Sequence, residues 1–298
     1  MKTLIRAVRH TILAATCALA VGLTALPAFA GDPFRSSNPR PIGDRTEAAF
    51  DAIFQRGDYP AAREYLDVAR EQEATEPLVY AMSASLAFNQ GDMDALSRYA
   101  QQTRAAAEQL KASDELRGNL YLAVGSFMEG AHAFKTRGPV GAATKLQEVL
   151  RYLNAARAID PNDPELNLME GYMELLLAVN VPFANPEQAI AKFEANAAPS
   201  YLVNRGIAIA YRDLDRYDEA LVYANRALSE TPDNPEVMYL KAQILHEQGK
   251  FAGDREIVQQ SVDLFNAALA KQAQLPANLP RQIDRERGIA QAWLNENV

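Results

Sequence analysis

His246-Glu247-Gln248 is the stretch whose residue types come nearest to metal chemistry. A zinc helix of the H-E-x-x-H kind sets two histidines one turn apart to hold the ion and uses the glutamate as a base. The second histidine would fall at position 250, where Lys250 stands. The remaining histidines are His10 and His132, and the one cysteine is Cys17. Beyond residue 30 a zinc site would therefore be built mainly from carboxylates, against that ion's preference for sulfur and imidazole. Residues 138–145, GPVGAATK, look superficially like a phosphate loop, but the glycine spacing is wrong and Thr144-Lys145 is in reversed order. A phosphate loop also follows a strand, and no strand pattern precedes this one. No G-x-S-x-G nucleophile elbow occurs. Asp213 with Asp215, and Asp218 with Glu219, are paired carboxylates of the sort that acid–base catalysis uses. On an acidic helical surface they read as solvated charges. No catalytic residue, metal ligand or cofactor is assigned, and the chain is expected to bind rather than to catalyse.

The elements that carry these residues are helical hairpins, clearest over residues 201–249. Two helical patterns meet at Leu214-Asp215-Arg216, and a second pair begins after Pro232-Asp233-Asn234-Pro235. Ala208, Ala220 and Ala227 are small enough for antiparallel helices to approach closely, and Tyr211 and Tyr217 fill the gaps that remain. Pro232 has no N–H to donate and ends the second helix. Thirty-four residues on, Asp215, Tyr217 and Ala208 become Gly249, Phe251 and Ala242, so the turn, aromatic and small positions recur. With Ile207 and Leu228, this set resembles the tetratricopeptide repeat (TPR) family. The resemblance implies an all-α, TPR-like α-solenoid, since one hairpin cannot bury its apolar face alone and must stack on neighbours. About six helical hairpins plus a C-terminal capping helix are expected over residues 44–298, with 201–234 and 235–269 the best repeats.

Elsewhere the punctuation is looser. Asp44 reads as the N-cap of the first helix, with Glu47 in a capping-box relation to it. Gly57-Asp58 marks a turn, and 34 residues later Gly91-Asp92 marks another. After Ser113, read as an N-cap, apolar periodicity runs unbroken through residues 116–134. One helix of about 23 residues is expected there, with a turn at Gly125 as the alternative. A helix over 140–159 closes on Asp160-Pro161-Asn162-Asp163-Pro164. A fourth hairpin follows, with helices over 165–179 and 186–196 and a loop at 180–185. In the sixth, residues 253–256 are expected to interrupt the return helix. Residues 280–295, with Ile283, Ile289 and Trp293, close the array.

The N-terminus carries an address. Lys2, Arg6 and Arg9 precede an uncharged run over residues 11–26, and Ala28-Phe29-Ala30 is a small-residue cleavage site. Together these are a secretory signal peptide over residues 1–30. Taking its three basic residues from the total of 30 leaves 27 against 38 acidic, a net charge of −11. That balance disfavours nucleic acid and anionic membrane as partners. The mature chain has no cysteine, and no second stretch is apolar enough to span a bilayer. Residues 31–43, GDPFRSSNPRPIG, form a proline-rich extended leader, either a free spacer or an arm with Phe34 and Ile42 docked. The leader and first repeat resemble exported cyanobacterial TPR proteins, which implies the periplasm or, in a cyanobacterium, the thylakoid lumen.

The resemblance also implies a site. In TPR proteins the first helices of successive hairpins line a concave groove that holds an extended or helical peptide. In this sequence the groove-facing positions include Phe88, Glu165, Tyr172, Arg205, Ile209, Arg212, Tyr239, Gln243 and His246. Aromatic rings supply contact area there, and Arg205 and Arg212 can grip a carboxylate bidentately. The expected function is an exported protein-interaction scaffold or assembly factor with an open trough for a partner protein or peptide. Two other readings remain open: a carrier of a small apolar ligand in a cavity near residues 116–185, and an enzyme with its site in that same irregular middle. Clustered buried groups with perturbed titration there would favour the enzyme.

Overall fold

The computed structural model describes residues 31–180 and 186–297. The expected signal peptide and most of the loop at 180–185 lie outside the described residues. Thirteen α-helices and no strand occupy what is described. Helices α1 (Asp44–Phe50, continued by a π-helical turn at Asp51–Gln55) and α2 (Tyr59–Gln72) make the first hairpin. The second is α3 (Pro77–Gln90) with α4 (Met93–Leu110), and the third is α5 (Glu115–Arg137) with α6 (Pro139–Ile159). The fourth is α7 (Pro164–Asn180) with α8 (Pro186–Asn196), and the fifth is α9 (Ser200–Asp213) with α10 (Tyr217–Glu230). The sixth is α11 (Pro235–Ala252) with α12 (Arg255–Ala270), and α13 (Leu279–Glu296) packs on the end. This is the expected all-α solenoid of six hairpins and a cap. Residues 116–134 lie within one continuous 23-residue helix, with no turn at Gly125.

Local chemistry explains the turns. Gly57, Gly91 and Gly253 all have positive φ, which only glycine adopts without cost. Each is followed by an aspartate that caps the next helix: Asp58, Asp92 and Asp254 accept from the N–H groups of Ala61, Ala95 and Glu256 at 2.9–3.1 Å. Such a cap contributes about 1 kcal/mol. Three sequence expectations fail at this level. The sixth hairpin turns at Gly253-Asp254 rather than at Gly249, so α12 is uninterrupted and Phe251 is 90% exposed instead of filling an aromatic slot. Asp114, not Ser113, caps α5, because its carboxylate accepts from Arg117 N at 2.9 Å. Asp44 does not cap α1; Glu73 at the end of α2 accepts instead from Arg45 N and Thr46 N, each at 2.9 Å. Gly43 is required for that approach, since a Cβ there would lie 2.0 Å from the Glu73 carboxyl carbon.

The first hairpin and the leader are packed into the core rather than standing free. Helix α1 and the π-helical turn after it bury Ala49, Phe50, Ala52 and Ile53, and these belong to one apolar core that reaches Tyr201, Leu202 and Ile207 of α9. The leader is docked on it: Phe34 and Ile42 are each 2% exposed, and the Phe34 ring meets Phe50 edge-on at 5.2 Å. Burying two such side chains contributes about 1.5–3 kcal/mol each. The superhelix also closes on itself. Asn234, which caps α11, donates from Nδ2 to the Phe54 carbonyl at 3.1 Å, and the Tyr59 hydroxyl donates to Glu236 at 3.0 Å. In a simple solenoid each repeat touches only its neighbours. Here the first hairpin touches the start of the sixth.

Candidate functional site

Two polar constellations hold most of the expected site residues. The first joins α7, α9 and α11 to the first hairpin. Arg205 donates to Glu236 at 3.1 Å, beside the Tyr59 hydroxyl on the same carboxyl group. Burial disfavours the Arg205 cation, but Glu236 outweighs it, with Tyr172 and Tyr59 adding to the effect, so the guanidinium stays above its ordinary pKa. The Tyr172 hydroxyl donates to the Leu202 carbonyl at 2.8 Å, and burial pushes its pKa up to about 12. Its ring meets Phe193 edge-on at 5.1 Å. Tyr172 and Arg205 are therefore brought together and satisfied within the protein.

The second row runs along α9, α11 and α13. Arg212 is bonded to Asp213 at 2.8 and 2.9 Å and to Gln243 Oε1 at 2.9 Å. Gln243 Nε2 donates to the Tyr239 hydroxyl at 2.9 Å and to Glu286 at 2.8 Å. Burial and Glu286 together hold the Tyr239 phenol above its ordinary range. Arg212, Gln243 and Ile209 are half-buried, whereas Tyr239 and His246 are buried. His246 keeps Nε2 without a hydrogen-bond partner, and burial lowers its pKa below the usual 6.5. Phe88 stands apart at the end of α3, 41% exposed, with the Lys135 ammonium 5.9 Å from its ring.

A third constellation escaped the sequence, apart from Glu165. The amino ends of α3, α5 and α7 converge, and their capping carboxylates, Glu76, Asp114 and Asp163, converge with them. Arg117, 2% exposed, binds Glu76 with two bonds of 2.8 Å and Glu165 with bonds of 3.0 and 3.3 Å. Tyr121 donates to Glu165 at 2.6 Å. Burial opposes the Arg117 charge, yet Glu165 and Glu76 override it, and the guanidinium is held well above its ordinary pKa. The leader completes the cluster. Arg40 contacts Asp114 at 2.6 Å, Glu165 at 3.0 Å and Asp163 at 3.2 Å, while Arg35 pairs with Asp163. No local signal in the sequence marked these pairings, since the Arg40 partners Asp163 and Glu165 lie over 120 residues away.

This buried cluster stands inside the segment where an enzyme site was considered, and it does perturb titration. Every group in it is nevertheless matched by an opposite charge or a hydrogen bond, and Tyr121 and Glu165 are fully buried. Such networks shift pKa values for structural reasons as well as catalytic ones. The cavities described, about 350 Å³ against Arg98 and Gln101 and about 450 Å³ between α12 and α13, are outside residues 116–185, where a carrier cavity was considered. Among the described residues no cluster of His, Cys, Asp and Glu is arranged to hold a metal ion, and no helix is long and apolar enough to cross a membrane.

The class that this architecture defines is the α-solenoid of stacked helical hairpins, a type of surface generally used to hold other proteins. A step further, residues 211–275 match the tetratricopeptide repeat family, which suggests a protein–protein interaction scaffold. The match covers the end of α9 through α12 and overlaps the repeats that were clearest in the sequence. No curated protein matches the chain.

Proposed function

We propose that this protein is an exported, non-catalytic interaction module of the periplasm or thylakoid lumen. It holds a partner protein against the concave side of its fifth and sixth hairpins, around Ile209, Arg212 and Gln243. The observation that supports this reading is a coincidence: the matched repeats, residues 211–275, carry the two of these residues that form the half-exposed polar row. The other expected groove residues on these hairpins are committed inside, as Arg205 is to Glu236. Arg212 holds Asp213 through Nε and Nη2, but its Nη1 bond to neutral Gln243 can be exchanged for one to a partner carboxylate at little cost, because charge-assisted bonds are the stronger ones.

The test is capture from the exported fraction of the cells that make the protein. One stoichiometric partner is expected on the immobilised chain and lost with Arg212→Glu, whose melting temperature stays within a few degrees. Recovery of no stoichiometric partner, or of one indifferent to Arg212→Glu, overturns the proposal. Arg205→Glu is the wrong control, since it would set two carboxylates against each other in a partly buried site.

A further inference from the structure

We propose that the converging amino ends of α3, α5 and α7 form a receptor for an extended, arginine-bearing segment of a partner protein, and that residues 31–40 of the leader are its resident stand-in. The site is seen occupied, so the chemistry of its ligand can be read from the occupant. Phe34 supplies the apolar anchor against Phe50, and Arg35 and Arg40 supply two cations five residues apart. Ser36, Ser37, Asn38 and Pro39 between them are exposed and touch the site little.

Charge dictates what can replace the leader. Glu76, Asp114, Asp163 and Glu165 are four carboxylates, and among the described residues Arg117 is the one cation that the helices themselves bring into contact with them. The caps are fixed by the backbone N–H groups of Leu78, Arg117 and Leu166, so the carboxylates cannot turn away when the leader lifts. An incoming segment must therefore bring about two positive charges in an extended conformation. Guanidinium groups suit the place best, because Arg40 spreads its nitrogens over three carboxylates at once. A second copy of this chain is a poor occupant, since two molecules with a net charge of −8 repel one another. Residues 31–40 belong to no helix, so their release gives up the burial of Phe34 and the ion pairs of Arg35 and Arg40 but unfolds no helix. This proposal is independent of the row at Arg212, which lies on other helices.

The probe is the labelled peptide GDPFRSSNPRPIG, followed by fluorescence polarisation on the full chain. A tethered leader competes at an effective concentration of about 1 mM, so the wild-type chain is expected to bind the peptide only in that range. Arg35→Ala/Arg40→Ala in the chain should tighten binding at least tenfold, and a peptide with both arginines changed to glutamate should not bind. Equal affinity of wild type and variant, or binding of the reversed peptide, overturns the proposal. If the double variant does not fold, Arg35→Ala alone removes one contact and should still tighten binding measurably. Unfolding of that single variant shows the leader to be an integral part of the fold and sinks the idea. Dimerisation of the variant chain at micromolar concentration would assign the site to a second copy and overturn the partner assignment.

Discussion

Replacing Arg117 by methionine is the sharpest test of how the second, third and fourth hairpins are joined. The helix contacts across the seam between α6 and α7 are sparse, and Arg117 spans the gap from Glu76 to Glu165. Methionine keeps much of the volume but leaves Glu76 and Glu165 with fewer partners in a site where Arg117 itself is only 2% exposed. Breaking a buried pair on one side costs about 3–5 kcal/mol, because the desolvated charge that remains is uncompensated. For a chain of this size that is about 6–10 °C in melting temperature, read by circular dichroism at 222 nm. Arg40 still reaches Glu165, which places the expectation at the lower end. Adding Glu76→Gln to Arg117→Met should recover part of the loss, as it removes the orphaned charge. A shift under about 2 °C for Arg117→Met, or a double variant less stable than the single, would refute the reasoning.

His246 should give the protein a pH dependence. Burial holds its pKa below 6.5, so the folded state binds fewer protons than the unfolded one near that value, and stability is full above it and declines as pH falls. His246→Phe should shrink the fall in melting temperature between pH 7.5 and pH 5.5. Gly206→Ala would place a Cβ 2.3 Å from the Phe193 ring, and overpacking of that kind costs about 1–3 kcal/mol in urea titration. Phe193→Leu in the same chain should restore part of it. Phe251→Ser should change stability by less than about 0.5 kcal/mol, since the side chain is 90% exposed, and a larger loss would mean that the sixth hairpin turns one helical turn earlier.

The hairpins were legible because their signals are local. Period, small crossing residues and proline stops all act within one or two turns of helix, and the 23-residue α5 followed from unbroken apolar spacing alone. The sixth turn was misread although its signal was present: Gly253-Asp254 repeats the Gly-Asp pair of 57–58 and 91–92. Counting 34 residues gave Gly249 more weight than the dipeptide that caps the next helix, while in fact Gly249 lies inside α11, where a Cβ would meet Val258 at 2.7 Å. The first cap was misassigned for a different reason. Glu73 reaches Thr46 across 27 residues, and no local pattern carries that information. The leader was hidden in the same way, since nothing nearby in sequence says that Phe34 packs on Phe50 or that Arg40 reaches Glu165 and so fills the interior there.

That filling changes what kind of solenoid this is. In an open array, stability is roughly a sum of nearest-neighbour terms, and one end can loosen without the other noticing. Here Asn234 and Glu236 bond to the first hairpin across 177–180 residues, and Arg40 bonds to Glu165 across 125. Each contact closes a long loop whose entropy is lost only when the whole superhelix is in place, so the ends report on each other. The buried arginines follow from the same geometry. Helix amino ends pointing inward bring capping carboxylates with them, and a dry interior tolerates those only if cations come too. Arg117 and Arg205 are supplied by the helices, but Arg35 and Arg40 come from a leader with no helix of its own. The part of the interior whose charge balance depends on the least anchored segment is therefore the part where another chain's arginines can compete.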